Sequence, residues 1–337
     1  MNPPARKRHP GWRTLTLLVF ALGLCALQAA DDPPVNDRIM FDDIRVNDQP
    51  VRLAFDTGAS DIMVYRPVAE RLGLKITEPS ADTKLDPGEV RFGTTAPVEF
   101  QFGTGVFAVT VTGVLAVVDL PTGVRPEEDG VIGWDNLRNN YFVFDAANSK
   151  MSLVAPRKPP EPAAWQSLPL RKNSETLVLE IPGSKDQPGG ILIDTGAPDG
   201  VFLSPARWRE WRAAHSTAPT TMDAYFTPGA GLVVREVSWA KELAIGPLIL
   251  TNVTVQETSP VETALISGHE ATLGVAALKR QDMMIDGKNG MAYFARRQIP
   301  TAPFSHNRLG AVFTPSDLQH DPLEAHVATG TPADTAG

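Results

Sequence analysis

The chain of 337 residues contains one cysteine, Cys25, and that cysteine lies inside an apolar run near the N-terminus. With no second thiol there is no internal disulfide, and removal of that run leaves neither a thiolate nucleophile nor a thiolate metal ligand. The run itself, Leu15 to Leu27, falls short of the roughly 20 apolar residues that span a bilayer as a helix. Arg6, Lys7, Arg8 and Arg13 precede it, and Gln28-Ala29-Ala30 followed by Asp31-Asp32 closes it. This is the layout of an export signal over residues 1–30, with cleavage near Ala29 or Ala30. An uncleaved anchor is the alternative. A lipid anchor fits less well, because Leu24 stands before Cys25 where a small residue is wanted.

Other chemistry is excluded by what is missing. Lys and Arg number 31 against 39 Asp and Glu, for a net charge of −8, and no basic stripe interrupts the acidic balance. Nucleic acid and anionic membrane surfaces therefore find nothing to hold. The six histidines (His9, His215, His269, His306, His320, His326) are scattered without metal-ligand spacing. Gly103-Thr-Gly105 and Gly229-Ala-Gly231 lack the strand-to-helix setting of a phosphate loop, and Ser267-Gly268-His269 is not a nucleophile elbow. What is abundant is punctuation: 30 prolines and 27 glycines cut the chain into short segments that read as an all-β protein with a few short helices. Its length suits two domains of roughly 130 residues.

The chain also repeats itself. Val51-Arg-Leu-Ala-Phe-Asp56-Thr57-Gly58-Ala59 returns as Ile191-Leu-Ile-Asp194-Thr195-Gly196-Ala197, each an apolar, β-prone segment running into a carboxylate, a hydroxyl and a glycine. A single Asp-Gly after a strand is ordinarily a turn. Here the flanks superpose without a gap: Ile39 meets Leu177, Phe41 meets Leu179, Asp48-Gln49-Pro50 meets Asp186-Gln187-Pro188, Asp61 meets Asp199, and Pro67 meets Pro205. Three extra residues then enter the second copy, after which Pro87-Gly88 meets Pro228-Gly229, and Val131-Ile132-Gly133 meets Thr272-Leu273-Gly274. The chain is an internal duplication.

Within each copy the local signals agree. Alternating Ile39, Phe41 and Val46 turn at Asn47-Asp48 and return through Val51, Leu53 and Phe55, so a hairpin delivers Asp56. A short helix over Pro67 to Leu72 is stopped by Gly73, and its counterpart starts with Ser204 as N-cap and Pro205 in the first turn. Trp208 and Trp211 share a face of that second helix and read as packing. The two Pro-Gly turns mark candidate hairpins over a cleft. Ala155 to Ala164, rich in proline, reads as a solvated connector. The expected organisation is residues 31–154 as a first lobe, 155–166 as linker, 167–299 as a second lobe, and 300–337 as a tail without fixed structure, since periodicity fades there.

Two Asp-Thr-Gly-Ala motifs, each followed by an apolar-apolar-Gly segment, resemble the aspartic proteases, and most of all the retropepsin-like branch, as if two retroviral-protease subunits were fused. The resemblance covers about residues 35 to 299. It implies a two-lobed, pseudo-twofold fold in which each lobe is a retropepsin-like β-barrel supplying one catalytic aspartate, Asp56 or Asp194. Thr57 and Thr195 would bond across the lobe interface, and Gly58 and Gly196 would admit the backbone close to the carboxylates, with Ala59 and Ala197 completing the loops. Two carboxylates held that close share one proton and titrate as a coupled pair, for which aspartic proteases are the standard case. The ionised member takes a proton from water while the protonated member donates to the scissile carbonyl oxygen. No metal or cofactor is called for. The partners implied are a peptide or protein substrate, with no nucleic acid, and with a membrane only if the N-terminal segment stays uncleaved. The fused lobes suit a monomer, and the signal suits a periplasmic location. The alternative is a catalytically idle relative that binds peptides or a protein.

The sequence departs from the pepsin-like pattern in two places. No tyrosine occurs between residues 80 and 100, whereas Tyr225 and Phe226 precede the equivalent turn in the second copy, which leaves open which hairpin covers the cleft. The residue after each glycine is Ala59 or Ala197 where pepsin-like relatives carry a hydroxyl that bonds the carboxylate. Loss of that donor removes support for the charged form. A rate profile peaking nearer neutral pH than in pepsin-like enzymes is therefore expected, and a peak in strongly acidic solution would contradict it.

Overall fold

The computed structural model describes residues 39–78, 92–103, 109–119, 127–147, 150–156, 158, 160, 165–181, 189–227, 231–259, 269–297, 306–315 and 322–337. The export signal, the Pro87-Gly88 and Pro228-Gly229 turns, and Asp186-Gln187-Pro188 lie outside these residues. The described chain is mostly β with four short helices.

β1 (Met40–Val46) and β2 (Gln49–Asp56) form a hairpin in which Val46 pairs with Gln49. The two residues between them, Asn47 and Asp48, have φ of 46° and 64°, the left-handed pair that a tight hairpin requires and that Asn and Asp tolerate. β2 starts exposed on one face and is buried on both from Leu53 onward, so its carboxyl end penetrates the core. After the loop come β3 (Ile62–Tyr65) and α1 (Arg66–Arg71), with Pro67 in the first turn and Gly73 at φ +66° just past the end. β4 (Ile76–Thr77), β5 (Phe92–Thr95), β6 (Val98–Phe102), β7 (Val109–Gly113), β8 (Ala116–Val118) and β9 (Gly130–Gly133) complete a nine-stranded sheet that curls into a half-barrel, in the order β4-β5-β8-β3-β9-β2-β1-β6-β7. The insertion of β9 matters most for the site. It runs parallel to β2 and antiparallel to β3, so the β2–β3 loop, which carries Asp56-Thr57-Gly58, must wrap over its end.

Next come β10 (Tyr141–Asp145), β11 (Lys150–Val154), β12 (Gln166–Pro169), β13 (Val178–Leu179), β14 (Ile191–Ile193) and β15 (Val201–Leu203). They are followed by α2 (Pro205–Ala214), β16 (Thr220–Thr227), β17 (Gly231–Ile245), β18 (Leu248–Glu257), β19 (Ala271–Leu273) and α3 (Val275–Leu278). The seven-stranded sheet of this half, β13-β14-β19-β15-β18-β17-β16, repeats the insertion: β19 is parallel to β14 and antiparallel to β15. The helix cap is made as expected, with Ser204 Oγ accepting from the Arg207 amide at 3.5 Å. Trp208 and Trp211 stack at 5.7 Å between ring centroids and are buried.

A third sheet is built from both halves. With β20 (Gln281–Asp286) and β21 (Met291–Arg296) its order is β11-β10-β20-β21-β12, and β10 pairs with β20 from Tyr141 opposite Asp286 to Phe144 opposite Met283. Asp286 is buried, and Asn289 bridges it to the other half by donating to Asp286 Oδ2 at 2.7 Å and to the Tyr141 hydroxyl at 3.0 Å. The tail differs from the expectation of no fixed structure. β22 (Ala311–Pro315) and β23 (Leu323–Val327) form a hairpin, and α4 (Pro332–Ala336) follows. The hairpin packs on β16, and Thr221 Oγ1 donates to the Asn307 carbonyl at 2.8 Å. A partner distant in sequence supplies the order that local periodicity does not.

The core reaches directly to the site. Phe142 of β10 has no exposure and stacks on Phe55, the residue before Asp56, at 5.4 Å, while Trp134 lies 6.0 Å away on another side. Phe142→Ala should lower stability by about 3–5 kcal/mol, read as a shift in the urea midpoint without a change in m.

Candidate active site

Asp56 ends β2 and Asp194 follows β14, and their exposures are 1% and 0%. Each carboxylate is held first by its own loop. Asp56 Oδ1 accepts from the Gly58 and Ala59 amides at 2.8 and 3.1 Å. Asp194 Oδ1 accepts from the Gly196 and Ala197 amides at 2.9 and 3.2 Å. The two sets agree to within a tenth of an ångström, as the duplication requires.

The loops are then tied to each other. Thr57 Oγ1 donates to the Ile193 carbonyl at 2.6 Å and accepts from the Thr195 amide at 3.1 Å. Reciprocally, Thr195 Oγ1 donates to the Phe55 carbonyl at 2.5 Å and accepts from the Thr57 amide at 3.0 Å. Both threonines are buried, so each bond replaces a desolvated backbone group's lost water. Thr57 and Thr195 thus bond each loop to the other.

Gly58 and Gly196 mark how near the halves come. A Cβ on Gly58 would lie 2.8 Å from Asp194 Cγ, and one on Gly196 would lie 2.5 Å from Asp56 Cγ. Each glycine therefore packs on the carboxyl of the opposite half, and any side chain there would push the pair apart. The apolar-apolar-Gly segments thread beneath. The Trp134 amide donates to the Ala59 carbonyl and the Val275 amide to the Ala197 carbonyl, both at 2.8 Å. A Cβ on Gly133 would meet the Ala59 oxygen at 2.6 Å, and one on Gly274 the Ala197 oxygen at 2.8 Å.

Electrostatics follow from this proximity. Burial holds the Asp194 carboxyl well above the usual carboxylate range, and the charge of Asp56 raises it further, while the Gly196 and Ala197 amides pull the other way. With one carboxyl raised beside another, the pair can share a single proton, which provides an acid and a base side by side. Among the described residues no group of three or more His, Cys, Asp or Glu could hold a metal ion.

One contributor was missed in the sequence. Arg235 of β17 is 6% exposed and pairs with Asp199, five residues beyond Asp194, at 2.7 Å. A lone arginine within Leu232-Val233-Val234-Arg235 was the available signal, because a charge on a buried strand needs a partner.

The folded Asp194 binds its proton more tightly than the unfolded one. The folded state therefore holds more protons between the unfolded carboxyl value near ~3.9 and the raised folded value, and stability falls as pH rises through that interval. Asp194→Asn should accordingly raise Tm at neutral pH by about 2–4 °C or more and flatten its pH dependence, as measured by calorimetry from pH 4 to 8.

No curated protein matches the chain. A family model described as aspartyl protease matches residues 43–135, the segment that holds Asp56-Thr57-Gly58 and Val131-Ile132-Gly133. On that match, and on a mostly β fold consistent with it, the chain is related to the aspartic protease superfamily.

Proposed function

We propose that the protein is an aspartic endopeptidase in which Asp56 and Asp194 together activate a water molecule against a peptide bond. The family match supports a protease-type function. The single observation that carries the finer reading is the mutual approach of two buried carboxyls, each packed on the opposite half's glycine, with Asp194 raised by burial and by Asp56. Two acids so placed are costly unless they share a proton, and a shared proton is what acid–base catalysis by the pair requires.

The steps follow from the groups present. The ionised member removes a proton from water as the oxygen attacks the scissile carbon, and the protonated member donates to the carbonyl oxygen, giving a tetrahedral diol. The nitrogen is then protonated, the C–N bond breaks, and the diol collapses to a carboxyl group, with the pair returned to one proton. The Gly58, Ala59, Gly196 and Ala197 amides keep the Oδ1 atom of each carboxyl fixed, which spares reorganisation during the reaction. The substrate is an extended peptide segment. The N-terminal signal pattern supports action beyond the inner membrane.

Purified protein should cleave a denatured protein substrate, be blocked by a statine-type inhibitor, and lose at least about 10³-fold in rate in Asp56→Asn and in Asp194→Asn. Binding of peptides with no cleavage by the unaltered protein would instead favour the idle relative, and cleavage retained in both variants would place the chemistry elsewhere.

A further inference from the structure

The long hairpin of β16 and β17 carries a buried cation whose contacts reach the loop of the second aspartate. Arg235 has 6% exposure. Its guanidinium donates to the Tyr225 hydroxyl at 2.9 Å on β16 and to Asp199 Oδ2 at 2.7 Å on the loop after Asp194. It lies over the Tyr225 ring at 4.0 Å and over the Phe202 ring of β15 at 4.7 Å. Directly across the hairpin from it stands Asp223. One side chain therefore touches the hairpin, β15 and the loop.

The loop end of this connection is stiff. The Ala197 amide bonds Asp194 Oδ1, the Ala197 carbonyl accepts from Val275, and the Asp199 carbonyl accepts from Ala276 at 3.1 Å. What is fixed to Asp199 is thus fixed relative to Asp194. The outer part of the hairpin, in contrast, lies beyond the β17–β18 pairing, which begins at Val237, and β16 is hydrogen-bonded in its sheet to β17 alone, with β22 and β23 packed on it. A fork of donors that stacks between two rings suits arginine and not lysine, whose ammonium neither lies flat on a ring nor reaches two acceptors from one plane.

We propose that Arg235 is a positioning residue that locks the β16–β17 hairpin to the loop carrying Asp194, so that the hairpin holds one placement relative to the carboxyl pair before any substrate arrives. The kinetic consequence rests on the endopeptidase reading, and the structural one does not. Because Thr57 and Thr195 hold the pair independently, release of the hairpin costs substrate placement more than chemistry. The effect falls on KM.

The experiment is hydrogen exchange on the purified full chain with Arg235→Met, Arg235→Lys and Tyr225→Phe, together with kinetics on a peptide that the unaltered protein cleaves. Amides of residues 220–227 should exchange about tenfold faster in both Arg235 variants and less so in Tyr225→Phe, with residues 98–102 of the first half unchanged as an internal control. KM should rise roughly tenfold with kcat within about threefold, and lysine should not rescue. Unchanged exchange at 220–227 in a folded variant overturns the proposal, as does full rescue by lysine or a loss confined to kcat. Should Arg235→Met fail to fold, Asp199→Asn carries the same expectation and Tyr225→Phe the smaller one. Exchange needs no substrate, so a wild-type protein that cleaves nothing would sink the endopeptidase reading and leave this test standing.

Discussion

Two carboxyls at 1% and 0% exposure repel when charged and lose their hydration when buried, so nothing about them alone would keep their loops together. The constraint that everything else depends on is the reciprocal bonding of Thr57 and Thr195 beneath them. Each hydroxyl gives its proton to a carbonyl of the other half and takes an amide proton from the facing threonine. Four buried hydrogen bonds at about 1 kcal/mol net each are comparable with the several kcal/mol that an uncompensated buried charge costs. The balance is also directional. Removing one hydroxyl leaves a desolvated carbonyl and a desolvated amide without partners, which costs more than the bonds' net worth.

Around that centre the fold has little freedom. β9 and β19 must run parallel to the strands that deliver the acids, since their glycines are what leave room for the Ala59 and Ala197 carbonyls. The halves must also be joined from behind, and the shared five-stranded sheet does this with β10 against β20 and with the Asp286–Asn289–Tyr141 bridge. Phe55 links the two requirements, because it gives its carbonyl to Thr195 and its ring to Phe142 of the shared sheet.

The duplicated features were legible because they are local and written twice. Asn47-Asp48 signals a tight turn by its chemistry, Pro67 and Gly73 bracket a helix, and Asp-Thr-Gly repeats at a constant offset with its apolar-apolar-Gly companion. Features that depend on pairing across long separations were not legible. The alternation of Phe142 and Phe144 predicts a strand, but nothing in it says that its neighbour is Met283 to Asp286. Arg235 stands in an apolar stretch, but only the fold brings Asp199, Tyr225 and Phe202 around it. The segment from Ala311 to Val327, with its weak periodicity, read as unstructured because the surface it packs against is almost a hundred residues earlier in the chain.

That last segment bears on how the molecule behaves in a crowd. β16 ends its sheet, and a terminal strand offers unpaired amides and carbonyls to any passing chain, which is the usual starting point for sheet-to-sheet association. With β22 and β23 folded against it and Asn307 taking the Thr221 hydroxyl, the C-terminal segment shields that rim. The extension beyond the duplicated halves thus covers one of the strands that end the sheets, where a bare rim would otherwise invite association.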